Sequence, residues 1–231
     1  MNNKTSMEMF LAWGVHLYTA LGGVIGFFAL YAAVQENYIV SFSLLLLSSV
    51  IDATDGILAR LIDVKRVLPA FDGSMLDNVI DIFTYAWIPL FIISQLTSFS
   101  TAITVLPIFA SLYAYGQVNM KTADNYFLGF PTYWNVIALY VYLFSIDGVL
   151  GAAILVIFSI LTFVPTKYLY PTKHENKLYR IFFLVGGAIW ILLVCYLMFV
   201  PNYTLTYVSL FYPLAYLGLS FYEDLKLRIV S

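Results

Sequence analysis

The sequence predicts an all-α fold, a polytopic transmembrane helical bundle of about eight helices. Three observations carry this. Of 231 residues, 62% are hydrophobic and 10% charged, against about 25% charged in soluble domains, so lipid has to solvate much of the surface. Eight apolar stretches approach the roughly 20 residues that cross a bilayer as helix, some only with generous ends. When these stretches are threaded back and forth, all eleven Lys and Arg residues fall on the face that carries both termini.

In order, the stretches are 12–34, 38–61, 71–98, 101–118, 131–146, 148–166, 178–200 and 202–222. The first apolar run, Met9 to Val34, is too long for a signal-peptide core and shows no clear cleavage site. It reads as a retained first helix. Ser6–Phe10 before it reads as a short interfacial turn or helix. The 131–146 stretch is short, so that helix is re-entrant or starts earlier. The loops near Glu36, Ser98, Asp147 and Pro201 carry no positive charge. Lys4, Arg60, Lys65, Arg66, Lys121, Lys167, Lys173, Lys177, Arg180, Lys226 and Arg228 lie on the other side. The positive-inside rule then puts both termini in the cytoplasm.

The length fits a single transmembrane catalytic domain, 1–231. A net charge of −2 without a basic run argues against nucleic acid as a partner. Cys195 is alone in an apolar run and reads as a packing residue.

The chemistry concentrates in residues 52–81. They contain Asp52-Ala-Thr-Asp55-Gly56-Ile-Leu-Ala59-Arg60, then Gly73-Ser-Met-Leu-Asp77-Asn-Val-Ile-Asp81. Carboxylates inside membrane helices are costly, so their presence points to function. At about 100° per residue, Asp52, Asp55, Gly56 and Ala59 share one helical face. Gly73, Asp77 and Asp81, each four apart, line a face of the next helix. Four converging carboxylates repel unless cations lie between them. All-oxygen ligation selects hard ions, Mn²⁺ or Mg²⁺. Two such ions about 4 Å apart suit phosphoryl transfer. Gly56, Ala59 and Gly73 leave room for a ligand to approach the backbone. Arg60 is placed to meet a phosphate or to hold a carboxylate.

The pattern D-x2-D-G-x2-A-R…G-x3-D-x3-D resembles the signature of the CDP-alcohol phosphatidyltransferases, with a match at Asp52, Asp55, Gly56, Ala59, Arg60, Gly73, Asp77 and Asp81. The interval between Arg60 and Gly73 is longer than is usual there. The resemblance implies that family's fold and two divalent ions. It implies metal ligation by Asp52, Asp55, Asp77 and Asp81, with Asp81 also the general base. It places CDP against Gly56, Ala59, Arg60 and Gly73. His16 and Thr19, three apart on the first helix, align with an Asn and a Thr of many family members and so would face the nucleotide. A lone intramembrane His is otherwise a hydrogen-bonded packing residue. The structural alternative for the aspartates is a network with Arg60, Lys65 and Arg66.

A wider similarity, to a choline-using bacterial subgroup, runs through Ala12–Ala20, Asp63–Pro69, Met120–Pro131, Trp134-Asn135 and Thr162–Pro165. It implies that CDP-diacylglycerol and choline give phosphatidylcholine and CMP at the bacterial inner membrane. A homodimer is common in the family. A quaternary ammonium is held by aromatic faces and a nearby carboxylate. Tyr113, Tyr115, Tyr126, Phe127, Phe130 and Trp134, with Asp124 as counter-charge, are candidates, as is Tyr133. Aromatics also gather at membrane interfaces for other reasons. The alternatives are a phosphatidylserine synthase or other family member and, more distantly, an ion-coupled transporter. Gly22 and Gly26 form a G-x-x-x-G pair that reads as close helix packing. Asp63 and Asp72 read as solvated or paired with Lys65 and Arg66. The cluster from Lys167 to Arg180, His174 included, reads as a contact for anionic headgroups.

Overall fold

The computed structural model describes residues 5–171 and 176–230. Lys4, Lys173 and His174 lie outside the described residues. The chain is helical nearly throughout, and contacts divide it into two units, residues 1–92 and 93–231. Among the described residues, five helical segments are long and apolar enough to cross a membrane, and three shorter apolar helices accompany them. Each of the eight expected stretches holds helix.

In the first unit, α1 (Ser6–Val34) packs along α2 (Tyr38–Ile62). Ser6–Phe10, expected as a short interfacial turn or helix, is helical and continuous with the rest of α1. A reciprocal cap fixes this start: the Glu8 N–H donates to Thr5 Oγ1 (3.1 Å) and the Thr5 N–H to Glu8 Oε2 (2.9 Å). Gly22 and Gly26 face α2 and a third helical rod (Gly73–Leu96) at close range. A Cβ on Gly22 would lie 3.4 Å from Ser48 Oγ, and one on Gly26 would lie 2.9 Å from Thr84 Cγ2. Ser48 donates to the Gly22 carbonyl (3.1 Å) and Ser41 to that of Ala29 (2.8 Å). Small residues therefore bring the backbones together and hydroxyls bridge them, as expected where lipid supplies no hydrophobic drive.

α2 ends at Asp63, which takes a left-handed conformation (φ 53°). The long interval after Arg60 holds a one-turn helix, α3 (Val64–Val67). Its Val64 and Val67 are buried against Ala12 and Val15 of α1, with Ala59 packed on the same cluster. Arg66 clasps Asp63 (2.8 Å) and Glu8 (3.1 Å). Asp72 caps α4 (Gly73–Asp81), accepting from the Ser74 and Met75 N–H groups at 3.0 and 3.1 Å. The third rod is not uniform. α4 runs into a π-helical turn (Ile82–Trp87) and then α5 (Ile88–Leu96).

In the second unit a 3₁₀ turn (Thr101–Thr104) leads into α6 (Val105–Gly116), β1 (Tyr126–Leu128), α7 (Trp134–Phe144) and α8 (Gly148–Phe163). β2 (Lys167–Leu169), α9 (Lys177–Phe199), α10 (Tyr203–Ser209) and α11 (Phe211–Val230) follow. β1 and β2 pair antiparallel with Tyr126 opposite Leu169. This pairing was not foreseen. Its reason lies partly in Gly129, whose φ of 80° turns the chain so tightly that a Cβ would sit 2.3 Å from the Thr162 carbonyl oxygen. α7 starts at Trp134, later than expected. Eleven residues make about 16 Å of helix, roughly half a hydrocarbon core. Polar ties hold the unit together. Trp134 Nε1 donates to Ser111 Oγ (2.8 Å), and Trp190 Nε1 donates to the Tyr140 hydroxyl (3.0 Å). Asp224 accepts from the Lys167 N–H (2.9 Å) and Arg228 Nε (2.7 Å).

Candidate active site

Three helices of the first unit build the site. α2 supplies Asp52 and Asp55, α4 supplies Asp77 and Asp81, and α1 closes the side with Thr19 and Gly22. These residues, with Ser48, Ile51, Ile80 and Thr84, line a small cleft between the helices. Asp55 and Asp81 are buried, whereas Asp52 and Asp77 are half-buried.

The local sequence explains the convergence. Asp52 and Asp55 lie three apart and Asp77 and Asp81 four apart, so each pair looks out from one side of its helix. The short α3 loop turns α2 back toward α4. Asp52, Asp55 and Asp77 each present an oxygen, all within 4.8 Å of one another. Three oxygens about 2.1 Å from one hard cation lie about 3.0–3.6 Å apart, so carboxylates up to 4.8 Å apart need to close by roughly an ångström, within reach of side-chain rotation. Charge, donor chemistry and spacing all fit a divalent ion bound to oxygen. Asp81 lines the same cleft outside this triad.

Two of the carboxylates are held by hydroxyls. Thr19 Oγ1 donates to Asp55 Oδ2 (2.7 Å) within the buried interior, and the Tyr85 hydroxyl donates to Asp52 Oδ2 (2.8 Å). Tyr18 and Thr54 share a hydrogen bond of 2.9 Å on the same helix pair. Thr19, expected to face the nucleotide, lines the cleft of the aspartates with its hydroxyl engaged by Asp55. Sequence reading passed over Tyr85. The signal available was its spacing of four from Asp81.

The other expected site residues have definite neighbours. His16 is buried, its ring 4.3 Å from that of Phe71. A Cβ on Gly73 would lie 2.7 Å from His16 Cε1, so the missing side chain of Gly73 makes room for that imidazole. Gly56 lies under Arg60, with Nη1 3.4 Å from the position a Cβ would take. Arg60 itself is exposed and Ala59 packs on α3. In the second unit Tyr113 packs on Phe163, Phe127 on Tyr170, and Phe130 on Trp134 and Phe158. Tyr126 lies beneath the Lys167 ammonium, Tyr115 is half-buried, and Trp134 is fully buried. Asp124 forms an ion pair with Lys167 at 2.6 Å. That ammonium and the Thr122 hydroxyl hold its carboxyl below the usual carboxylate range. Burial and the nearby Asp224 charge raise the Tyr168 phenol to about 12.

A clustered set of carboxylates inside a helical membrane protein defines a class, polytopic membrane proteins with an acidic, cation-competent site. No family model matches the chain. Relatives narrow the class. The chain is 37% identical to a phosphatidylcholine synthase of Legionella pneumophila over 95% of its length and 91% of that protein's. It is 37% identical to one of Legionella bozemanae, covering 86% and 97% of the two chains. A third, from Pseudomonas aeruginosa, is 39% identical over 74% of each. The chain belongs to the phosphatidylcholine synthase family.

Proposed function

We propose that this chain transfers the phosphatidyl group of CDP-diacylglycerol to choline, giving phosphatidylcholine and CMP. The observation that carries the chemistry is the triad Asp52, Asp55 and Asp77, whose oxygens lie within 4.8 Å of one another in the membrane-spanning part of the chain. The family supports the substrates.

Asp52, Asp55 and Asp77 would hold divalent ions, Mn²⁺ or Mg²⁺, with Asp81 reaching a second one. Such ions, when bound, neutralise the diphosphate and stabilise CMP as the leaving group. The chain's own groups supply the rest. Asp81 accepts the proton of the choline hydroxyl as its oxygen attacks phosphorus, a task suited to a carboxylate within hydrogen-bond reach. Arg60, which is exposed, would pair with phosphate oxygens. Gly56, Ala59, Gly73, His16 and Thr19 shape the nucleotide side. Thr19 keeps Asp55 oriented while doing so. Cation–π contact supports placing the choline ammonium among the aromatic rings from Tyr113 to Trp134. Asp124 would help only after exchanging Lys167 for the substrate cation.

We place the whole chain, as one catalytic domain, in the bacterial inner membrane with termini and site cytoplasmic. The one-sided distribution of Lys and Arg supports this.

The test is an acceptor screen on detergent-purified protein. CDP-diacylglycerol and Mn²⁺ or Mg²⁺ are offered with choline, serine, inositol or glycerol 3-phosphate, and CMP and lipid product are measured. Phosphatidylcholine formed only with choline, and lost with chelator, is the expected result. Product with serine would keep the aspartate chemistry and overturn the acceptor.

A further inference from the structure

The third rod has a feature that the sequence period does not account for. Directly after Asp81 its backbone opens into the π-helical turn Ile82–Trp87, closed by a bond from the Ile88 N–H to the Phe83 carbonyl five residues back. Turns of this kind appear mostly inside α-helices and often at functional sites.

The turn changes where Tyr85 points. In an unbroken α-helix each four-residue step advances about 40° around the axis. Asp77, Asp81 and Tyr85 would then fan out progressively, leaving Tyr85 about 80° from Asp77. A helix bonded i to i+5 rotates less per residue. The four steps from Asp81 to Tyr85 then sum closer to a full circle, and the fan is corrected. Tyr85 comes back over the face that carries the aspartates. Its hydroxyl donates to Asp52 Oδ2 at 2.8 Å.

We infer that Tyr85 is a positioning residue for the metal centre, and that the π turn exists to aim its hydroxyl at Asp52. This rests on the reading that Asp52 holds a divalent ion. An ionised carboxylate has two oxygens and about four acceptor sites, so a bond from Tyr85 fixes the orientation of Asp52 without exhausting it. Asp55 is treated the same way by Thr19 of α1. Each ligand that α2 supplies is thus set by a hydroxyl from a different helix. Hydrogen-bond partners of this kind typically contribute 10–100-fold to metal affinity.

The experiment compares wild type, Tyr85→Phe, Ser41→Ala and Asp52→Asn as full-length protein in detergent. Free Mn²⁺ is titrated by electron paramagnetic resonance, and thermal midpoints are measured in chelator. Ser41→Ala removes a buried bond between α2 and α1 far from the aspartates and should keep Mn²⁺ affinity. Tyr85→Phe is expected to weaken Mn²⁺ binding about 10–100-fold, with a smaller midpoint loss than Ser41→Ala. Unchanged affinity in Tyr85→Phe, with wild type binding and Asp52→Asn not, overturns the role of Tyr85 alone. Equal affinity losses in Tyr85→Phe and Ser41→Ala make it a packing residue and also overturn it. No Mn²⁺ binding by folded wild type removes the metal reading and the inference together.

Discussion

Replacement of Asp77 by Asn should stabilise the protein without metal and remove most of the stabilisation that metal brings. Three carboxylate oxygens within 4.8 Å of one another repel by about 3 kcal/mol per pair at an effective dielectric near 20, and by about 1 kcal/mol in water. Asn has nearly the same shape and removes two of the three pairs, so metal-free protein gains from about 2 to about 4 kcal/mol, the upper figure being the cost of protonating one carboxyl at about pH 7. The lower figure alone raises the midpoint of a chain this size by about 4–8 °C. Wild type gains from the other side. Mn²⁺ at a hundred times its dissociation constant adds about 2.7 kcal/mol, or about 5–10 °C. Asp77→Asn, lacking one of three ligands, should gain little. The assay is thermal unfolding in detergent against Mn²⁺ concentration, starting from excess chelator; the wild-type curve should rise while that of Asp77→Asn stays nearly flat, and with the lower figure the two cross. A mutant that melts below wild type in chelator and still gains the full Mn²⁺ shift would falsify the idea that these carboxylates form one repulsive, ion-binding cluster.

Asp81→Asn should abolish phosphatidyl transfer while retaining most of the Mn²⁺-induced midpoint shift, because Asp81 lies outside the triad; substantial turnover would remove it as base. Gly73→Ala should cost about 1–3 kcal/mol, since its Cβ would lie 2.7 Å from His16 Cε1. The double substitution with His16→Ala should recover much of that loss, and additive losses in a double-mutant cycle would show that the two do not meet. Asp124→Asn tests the Lys167 ion pair through pH. Lys167, then Thr122, hold the Asp124 carboxyl below its ordinary value. The stabilisation is therefore complete above about pH 4 and lost as pH falls through the lower, folded value. The midpoint gap between wild type and Asp124→Asn should be constant in neutral solution and vanish in strong acid, with a size under about 1 kcal/mol because both side chains are partly exposed. A gap that widens toward acid would contradict the pair.

The aspartates were legible because charge in an apolar helix has few uses and because spacings of three and four keep a pair on one face. The helices were legible as apolar runs, but their ends and irregularities were not. α1 begins at Ser6, where the cap between Thr5 and Glu8 rather than hydropathy decides the boundary. α7 begins at Trp134 because the left-handed Thr132 (φ 53°) ends the preceding turn, a backbone event that an apolar sequence does not signal. α3 was hidden in a loop too short for a periodic pattern, and only its contact with Ala12 and Val15 makes it a helix. The π turn escaped for a deeper reason. Face assignments assume about 100° per residue, and that assumption fails in the segment carrying Tyr85. Gly73 also has a packing role that spacing does not signal, because its missing side chain leaves room for the His16 imidazole.

The packing of the first unit and its chemistry are one problem. Carboxylates that repel cannot hold themselves together, so the helices bearing them must be clamped by other contacts. α1 supplies that clamp. Its Gly22 and Gly26 admit Ser48 of α2 and Thr84 of the third rod at 3.4 Å and 2.9 Å from where side chains would begin. From one turn earlier on α1, Thr19 bonds Asp55 directly. Thr84 adjoins Tyr85, which bonds Asp52. The small residues that close the helices and the hydroxyls that orient the ligands therefore alternate along the same surfaces. Loosening the packing would spread the carboxylates, lower their mutual repulsion and weaken their hold on a cation. The cost of the close approach is thus inseparable from the charge density that makes the site able to bind one.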